Sequence, residues 1–293
     1  MLGGMRMLCW MNGQFIEEQD LRISPFDHGF LYGLGFFETF RTYKGKAVFL
    51  PLHFGRLLEA LKEYRIQFPY SLQEIEQIIE QLNAQDGNEG YFRLNVSAGP
   101  HAIGLAPSEY VEPTVILFRK ELPQVKRGTE KEAVWLKTLR NSPEQEQRHK
   151  SHHYGNNVRA RLELPSLAAH EGFFTDVRGV VAEGITSNIF WIKDGILYTP
   201  STKIGILPGI TRALVIELAA IIGIQVREGS FLKWELEQAD ECFITTAVQE
   251  LVPISHIANV RFAGSEGHIY QKLHNAYIEK IVTNLGERNA RKL

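Results

Sequence analysis

Cysteine is scarce in this 293-residue chain: Cys9 and Cys242 are the only two and lie far apart, which argues against a disulfide framework and a cysteine-based zinc site and suits a reducing cytoplasm. Long apolar runs are missing as well. No stretch approaches about 18 consecutive apolar residues, and the opening MLGGMRMLCWMNGQFIEEQD has no signal-peptide core, so neither a membrane partner nor export is expected. Charge of one sign is also absent: 32 Lys and Arg against 34 Asp and Glu leave a net −2, with no basic run of the kind that binds nucleic acid. No internal repeat, low-complexity tract or Walker pattern occurs. What remains, 44% hydrophobic and 23% charged, describes a globular protein long enough for two domains and built for small-molecule partners.

The periodicities are clearest in the first half. SLQEIEQIIEQL sets Ile75, Ile78, Ile79 and Leu82 at helical spacing behind Ser71, an N-cap with Glu74 three residues later. PLHFGRLLEALKEYRI predicts a second helix, with Pro51 in its first turn, Leu57, Leu58 and Leu61 as its apolar face, and Arg56 near one edge. YFRLNVSAG and PTVILF predict strands. The aperiodic RKELPQVKRGTEKE, with Pro123 and Gly128, then suggests an interdomain connection: a smaller domain over 1–120, a linker over 121–130 and a larger domain over 131–293.

Beyond the linker, AVWLKTL and ECFITTA predict strands and NIFWIKDGILYTP a hairpin turning at Asp194-Gly195. NNVRARLELPSLAAHEG reads as a helix with Gly172 near its end, GITRALVIELAAIIGI as a helix opening on Gly209, and HIYQKLHNAYIEKIVTNL as a closing amphipathic helix.

One stretch, RHKSHHYGNN, admits two chemistries. His149, His152 and His153 could offer a metal an i, i+3 or i, i+4 pair, but no H-E-x-x-H or comparable spacing supplies further ligands, so no metal is expected. Lys150 could instead be a reactive amine, although a lone loop lysine is ordinarily just solvated. A lysine that forms a Schiff base with pyridoxal phosphate needs a carboxylate for the pyridine nitrogen, donors for the phosphate and an apolar wall for the ring. VVAEGITSNIFWI carries Glu183 at the end of an apolar run. GILPGITRALVIEL puts Leu207-Pro208-Gly209 ahead of a helix whose first amides, at Ile210 and Thr211, suit a phosphate. Taken alone, the first reads better as a turn glutamate and the second as an ordinary helix start.

Together the segments resemble the class IV pyridoxal-phosphate enzymes, the fold-type IV family of branched-chain aminotransferases, D-amino-acid aminotransferases and 4-amino-4-deoxychorismate lyases. The likeness runs in order through DHGFLYGLGFFETFRTYKG, HFGRLLEAL, HKSHHYGNNVRAR, EGITSNIFWIKDGILYTP, LPGITRALV and FITTAVQELVPI. It implies a two-domain α/β (α+β) fold with the cofactor cleft between the domains, a homodimer, and pyridoxal 5'-phosphate as cofactor. It further implies that Lys150 is the Schiff-base lysine and general acid/base and that Glu183 pairs with the pyridine nitrogen. Arg56, in the family's H-x-x-R pattern, would hold the phosphate with Ile210, Thr211 and Thr246, and Leu207 would pack on the ring. Asn156 is a candidate for indirect contact.

Within the family, GFFETFRTYKGK and RLNVSAGPHAIGL look most like bacterial aminodeoxychorismate lyases, and branched-chain aminotransferases usually have glycine where this chain has Thr39. Gly33-Leu34-Gly35 departs from the family's common Gly-Asp-Gly. The lyase resemblance implies conversion of 4-amino-4-deoxychorismate to 4-aminobenzoate and pyruvate in folate biosynthesis; the alternative is an aminotransferase of D- or branched-chain amino acids. Because that substrate carries two carboxylates, Arg41 and Arg93 are candidate contacts, and Tyr32 a candidate wall of its pocket.

Overall fold

Every strand before residue 122 joins one sheet and every strand after residue 130 joins another, in a computed structural model that describes residues 7–286 except 88, 106–107 and 123–124. The first sheet contains β1 (Leu8–Met11), β2 (Gln14–Glu17), β3 (Gly35–Tyr43), β4 (Lys46–Ala47), β5 (Gly90–Ser97) and β6 (Thr114–Glu121). Its order is β2-β1-β6-β5-β3-β4, antiparallel throughout. Alternation in β5 turns Phe92, Leu94 and Val96 to one face, where they share a core with Phe40 of β3 and with two helices, α2 (Leu50–Glu63) and α3 (Leu72–Asp86), while the short α1 (His28–Tyr32) precedes β3. α3 starts where expected. Ser71 Oγ accepts from the Glu74 amide and Glu74 answers at the Ser71 amide, 2.7 Å away, so two first-turn donors are satisfied reciprocally. Ile75, Ile78, Ile79 and Leu82 are all buried, each worth about 1.5–3 kcal/mol relative to exposure.

The expected apolar face of α2 needs one correction. Leu57 and Leu61 are buried with Leu50, His53 and Ala60, but Leu58 is exposed. One step along a helix turns a side chain by about 100°, which carries Leu58 off the stripe that Leu57 occupies.

The second sheet holds β7 (Lys131–Trp135), β8 (His170–Thr175), β9 (Val181–Gly184), β10 (Asn188–Lys193), β11 (Ile196–Pro200), β12 (Val226–Gly229), β13 (Glu241–Thr246), β14 (Glu250–Ile257) and β15 (Val260–Arg261). The order is β12-β11-β10-β13-β14-β7-β8-β9, with β15 on β14. Helices α4 (Gly155–Arg161), α5 (Ile210–Ile221), α6 (Lys233–Glu237) and α7 (His268–Asn284) complete this half. α5 and α7 cover Phe190, Phe243 and Leu251 of the sheet. The β10–β11 turn is the expected one: Asp194 and Gly195 both have positive φ, 49° and 75°, as a two-residue hairpin turn requires.

The helix expected over residues 156–172 is cut short. α4 ends at Arg161, turns follow, and Gly172 lies inside strand β8. Pro165 has no amide to donate and disfavours helical backbone at Leu164, so the leucine spacing beyond it belongs to a turn. Gly172 is there for space rather than as a helix stop: a Cβ would come 2.7 Å from Leu136 Cδ2.

The sheets change over between Glu121 and Lys131, within the segment expected to connect domains; Pro123, part of that expectation, lies outside the described residues, as do residues 1–6 of the N-terminal stretch. Among the described residues no helix is long and apolar enough to cross a membrane. β4 pairs with β3 only at Thr42 and Tyr43, which leaves the start of β3 open at its edge. Residues 150–152 take that edge: the Phe37 amide donates to the Lys150 carbonyl and the His152 amide to the Gly35 carbonyl, both at 2.9 Å.

Candidate active site

That edge pairing fixes the backbone of Lys150, and its side chain faces a cavity of about 610 Å³ bounded by both sheets and the start of α5. The Lys150 Nζ lies 4.6 Å from the centre of the Phe37 ring. Burial, reinforced by the Arg56 guanidinium and partly offset by Glu38, pushes its amine down to about 8. An amine so shifted is a nucleophile and proton acceptor near neutral pH, which an ordinary surface lysine is not.

Arg56 and His53 stand three residues apart on α2, so both reach β3, where they meet one carboxylate. Glu38 accepts from Arg56 Nε and Nη2 and pairs with His53 Nδ1, each at 2.7 Å, while Arg56 Nη1 donates to the Pro208 carbonyl at 2.8 Å. Burial alone would raise the Glu38 carboxyl; the charge of Arg56 and the bonds from His53 and Arg56 outweigh it and hold it at about 2. Glu38 was not singled out in the sequence. Its signal was the acid inside an otherwise apolar strand, GFFETF, which requires a buried partner.

Glu183 ends β9 and is buried. Arg140 Nε donates to its Oε1 at 2.8 Å, the Leu207 amide donates to Oε2 at 2.9 Å, and Arg148 Nε stands 3.8 Å from Oε1. Asn156 reaches this carboxylate only through Arg140, whose Nη1 it accepts at 2.9 Å. Arg140 also went unmarked in the sequence, because nothing local distinguishes LRNS from a surface turn. Tyr154 is a further cavity residue not foreseen; burial raises its hydroxyl.

The far wall carries groups that suit an anion. α5 begins at Gly209 with no side-chain cap, so its first amides, at Ile210 and Thr211, are uncapped at the cavity wall. Beside them run Thr245 and Thr246 of β13. Thr245 Oγ1 is buried without a hydrogen-bond partner, and Thr246 Oγ1 accepts from the Gln249 amide at 2.8 Å. Among the described residues lining the cavity, six arginines and three lysines, Arg212 among them, are set against one acid, Glu183.

Arg93 extends from β5 with its guanidinium carbon 3.5 Å above the centre of the Phe37 ring and its Nε on Asn95 Oδ1 at 3.2 Å. Arg41 lies over the Tyr43 ring and donates to the Val248 carbonyl at 3.0 Å and to Glu89 at 3.3 Å. Tyr32 is the exception among the ten expected site residues: the other nine line this cavity and it does not. The one-turn α1 aims it at the 99–105 loop, where its hydroxyl accepts from the Gly104 amide at 2.7 Å and its ring meets His28 edge-on.

The three histidines have separate tasks. His149 Nε2 pairs with Glu63 at 2.6 Å, His152 Nε2 with Asn95 at 3.0 Å and His153 Nδ1 with Glu144 at 3.1 Å. Burial and Arg93 push His152 down to about 4. Among the described residues no group of three His, Cys, Asp or Glu could hold a metal. His152 also explains Gly35, since a Cβ there would sit 2.3 Å from its ring.

The donor set fits pyridoxal phosphate: a lysine with a depressed amine, a buried carboxylate with lone pairs left for a ring N–H, and, around one end, a helix start, an arginine fork and an unpartnered buried hydroxyl. Comparison with known proteins agrees. Residues 35–257 match the family described as amino-transferase class IV. The chain is 40% identical over 288 residues to the aminodeoxychorismate lyase of Bacillus subtilis, covering 97% of this chain and 98% of that one. It is 36% identical over 254 residues to a putative branched-chain-amino-acid aminotransferase of Methanocaldococcus jannaschii, covering 86% and 88%. Among solved structures, a T.th. branched-chain amino acid aminotransferase with pyridoxamine 5'-phosphate superposes at a TM-score of 0.83 with 27% identity, over 96% of this chain and 95% of that one. The chain therefore belongs to the class IV amino-transferases, the mixed α/β family whose cofactor is pyridoxal 5'-phosphate.

Proposed function

We propose that this protein is an aminodeoxychorismate lyase, which converts 4-amino-4-deoxychorismate to 4-aminobenzoate and pyruvate for folate synthesis. The observation that carries the reading is the 40% identity to the Bacillus subtilis lyase over nearly the full length of both chains. Two features of the cavity support it: Thr39 lines the wall between Phe37 and Arg41, and two arginines, Arg41 and Arg93, are available for a substrate with two carboxylates.

The residues divide the work as follows. Arg56, the amides of Ile210 and Thr211, and Thr246 would hold the cofactor phosphate, Leu207 would pack against the ring, and Glu183, kept in place by Arg140 and the Leu207 amide, would accept the ring N–H. Pyridoxal phosphate, once bound, supplies an electron sink next to the substrate carbon that bears the amine. Lys150 would anchor the cofactor through Nζ and, as a free base, would take the proton from substrate C4. Its Nζ–H then serves as acid toward the departing enolpyruvyl group. Arg93, stacked on Phe37, binds a substrate carboxylate and sets C4 over Lys150. Loss of pyruvate makes the ring aromatic, which favours elimination over transamination.

The same reading includes two domains, 1–120 and 131–293, joined through 121–130, and a homodimer in the cytoplasm. Phe26, Phe30, Ile103 and Leu105 are exposed, and the His101 amide bonds the Phe26 carbonyl at 3.1 Å, so these side chains lie in one neighbourhood that a second copy would cover. Both cysteines are free and buried, in keeping with a reducing compartment.

The similarity to aminotransferases favours a second reading, transfer of the amine to a keto acid. Purified protein given aminodeoxychorismate without any keto acid should release pyruvate and 4-aminobenzoate in equal amounts. Turnover that depends on an added keto acid would replace the lyase with the aminotransferase.

A further inference from the structure

Glu250, the first residue of β14, has a left-handed backbone with φ of 62°, although it is neither glycine nor exposed. Such a backbone persists only where its surroundings over-determine it. Here they do. Its carboxylate accepts from the Tyr43 hydroxyl at the end of β3, from Arg127 Nε and Nη2 at 2.9 Å each, and from His274 Nε2 on α7 at 2.9 Å. Three segments distant in sequence thus converge on one side chain, and one of them is the connection between the two sheets. His274 is in turn oriented by Tyr270, whose hydroxyl lies 3.0 Å from Nδ1.

The residue immediately follows the end of β13 and the turn after it, where every residue from Thr245 to Gln249 lines the cavity. Nothing places Glu250 itself in contact with a ligand. Its effect passes through the backbone to Thr246, which stands on the anion-binding wall, and through Tyr43, whose ring supports Arg41 at 4.3 Å while Arg41 bonds the Val248 carbonyl. We propose that Glu250 is a positioning residue that fixes the 245–249 turn at the phosphate end of the cavity, and that Arg127 couples this turn to the segment joining the two sheets. This rests on the reading that the cavity holds pyridoxal phosphate. The network then explains why a buried glutamate occupies a position whose backbone favours glycine: the carboxylate, rather than the backbone, is what the site requires.

The test uses the full chain with and without pyridoxal phosphate, in Glu250→Gln, Arg127→Gln, the double variant and Arg127→Lys. Cofactor affinity is read by absorbance, and hydrogen exchange is followed in peptides spanning 245–249. Each glutamine variant should weaken cofactor binding roughly ten- to a hundredfold, as for loss of a buried charged hydrogen bond, and should speed exchange in the turn. The double variant should be no worse than the weaker single, because both remove one interaction. Arg127→Lys, which keeps the charge without the fork, should recover part of the loss. Wild-type affinity and exchange in Arg127→Gln would overturn the coupling, and in Glu250→Gln the positioning role. If Glu250→Gln fails to fold, Arg127→Gln alone decides. A wild-type chain that takes up no cofactor would sink the cofactor reading, and exchange in this segment would still test the positioning role of Glu250.

Discussion

The Phe37 amide donates to the Lys150 carbonyl at 2.9 Å, and the Lys150 ammonium returns to within 4.6 Å of the centre of the Phe37 ring. The loop that carries the reactive lysine is therefore held by the edge of the N-terminal sheet, although the lysine's carboxylate counterpart, Glu183, belongs to the other sheet. The two halves of the site are in register only while that edge is occupied.

Gly35 makes this pairing possible, and its replacement should break it. In Gly35→Ala the new Cβ would lie 2.3 Å from the His152 ring and 2.8 Å from the Val96 carbonyl, and the latter is backbone that cannot swing aside. A loss of about 1–3 kcal/mol is expected from overpacking, read as a lower thermal midpoint together with weaker cofactor retention. An unchanged midpoint and unchanged retention would mean the His152 contact does not constrain the loop.

Lys150 should set the pH dependence of cofactor capture. With its amine at about 8, protein stripped of cofactor holds a protonated, unreactive amine below that value and a free amine above it. The rate of pyridoxal phosphate capture, followed by absorbance, should rise with pH through a midpoint near about 8. A midpoint near that of an ordinary lysine would remove the electrostatic role assigned to Arg56 and to burial.

Glu38 links the site to stability. Its carboxyl is held at about 2 against an ordinary 4.5, so its contribution is fully present above the ordinary value and is lost as pH falls through about 2. Glu38→Gln removes the negative charge that pairs with Arg56 and His53 and replaces one of its two acceptor oxygens with a donor; breaking a buried pair in this way costs about 3–5 kcal/mol. Denaturant midpoints should show the gap between wild type and variant closing as the pH is lowered across that window. A constant gap would contradict the ion pairing.

Arg93 should act on substrate and leave the cofactor alone. Arg93→Ala is expected to raise KM roughly ten- to a hundredfold, as for loss of a charge-assisted hydrogen bond, with pyridoxal phosphate affinity retained. Arg93→Lys should fall between, since an ammonium lacks the planar fork that stacks on Phe37. An unchanged KM in Arg93→Ala would reassign the guanidinium to structure.

Much of this was legible in the chain, for reasons that differ from place to place. Ser71, Glu74 and the four apolar residues behind them announce α3 because capping and helical periodicity are local. Asp194-Gly195 likewise dictates its own turn. The resemblance pointed to nine residues that line one cavity, though they come from separate elements. Partnership was not legible. That Arg140 would find Glu183, or that Glu38 would hold Arg56, depends on contacts between segments many residues apart. The leucines of 162–167 misled because their spacing fits a helix until Pro165 is given its full weight. Tyr32 lies outside this cavity because the one-turn α1 directs it to the Gly104 amide, a contact between segments 72 residues apart.

The most direct measurement is borohydride reduction of the cofactor-loaded protein followed by tryptic peptide mapping. If Lys150 is the reactive residue, the phosphopyridoxyl mass should appear on that lysine alone, in the peptide spanning residues 149–159, because a modified Lys150 resists cleavage. A label on Lys131 or Lys126, the other lysines that line the cavity, would contradict the assignment at its centre.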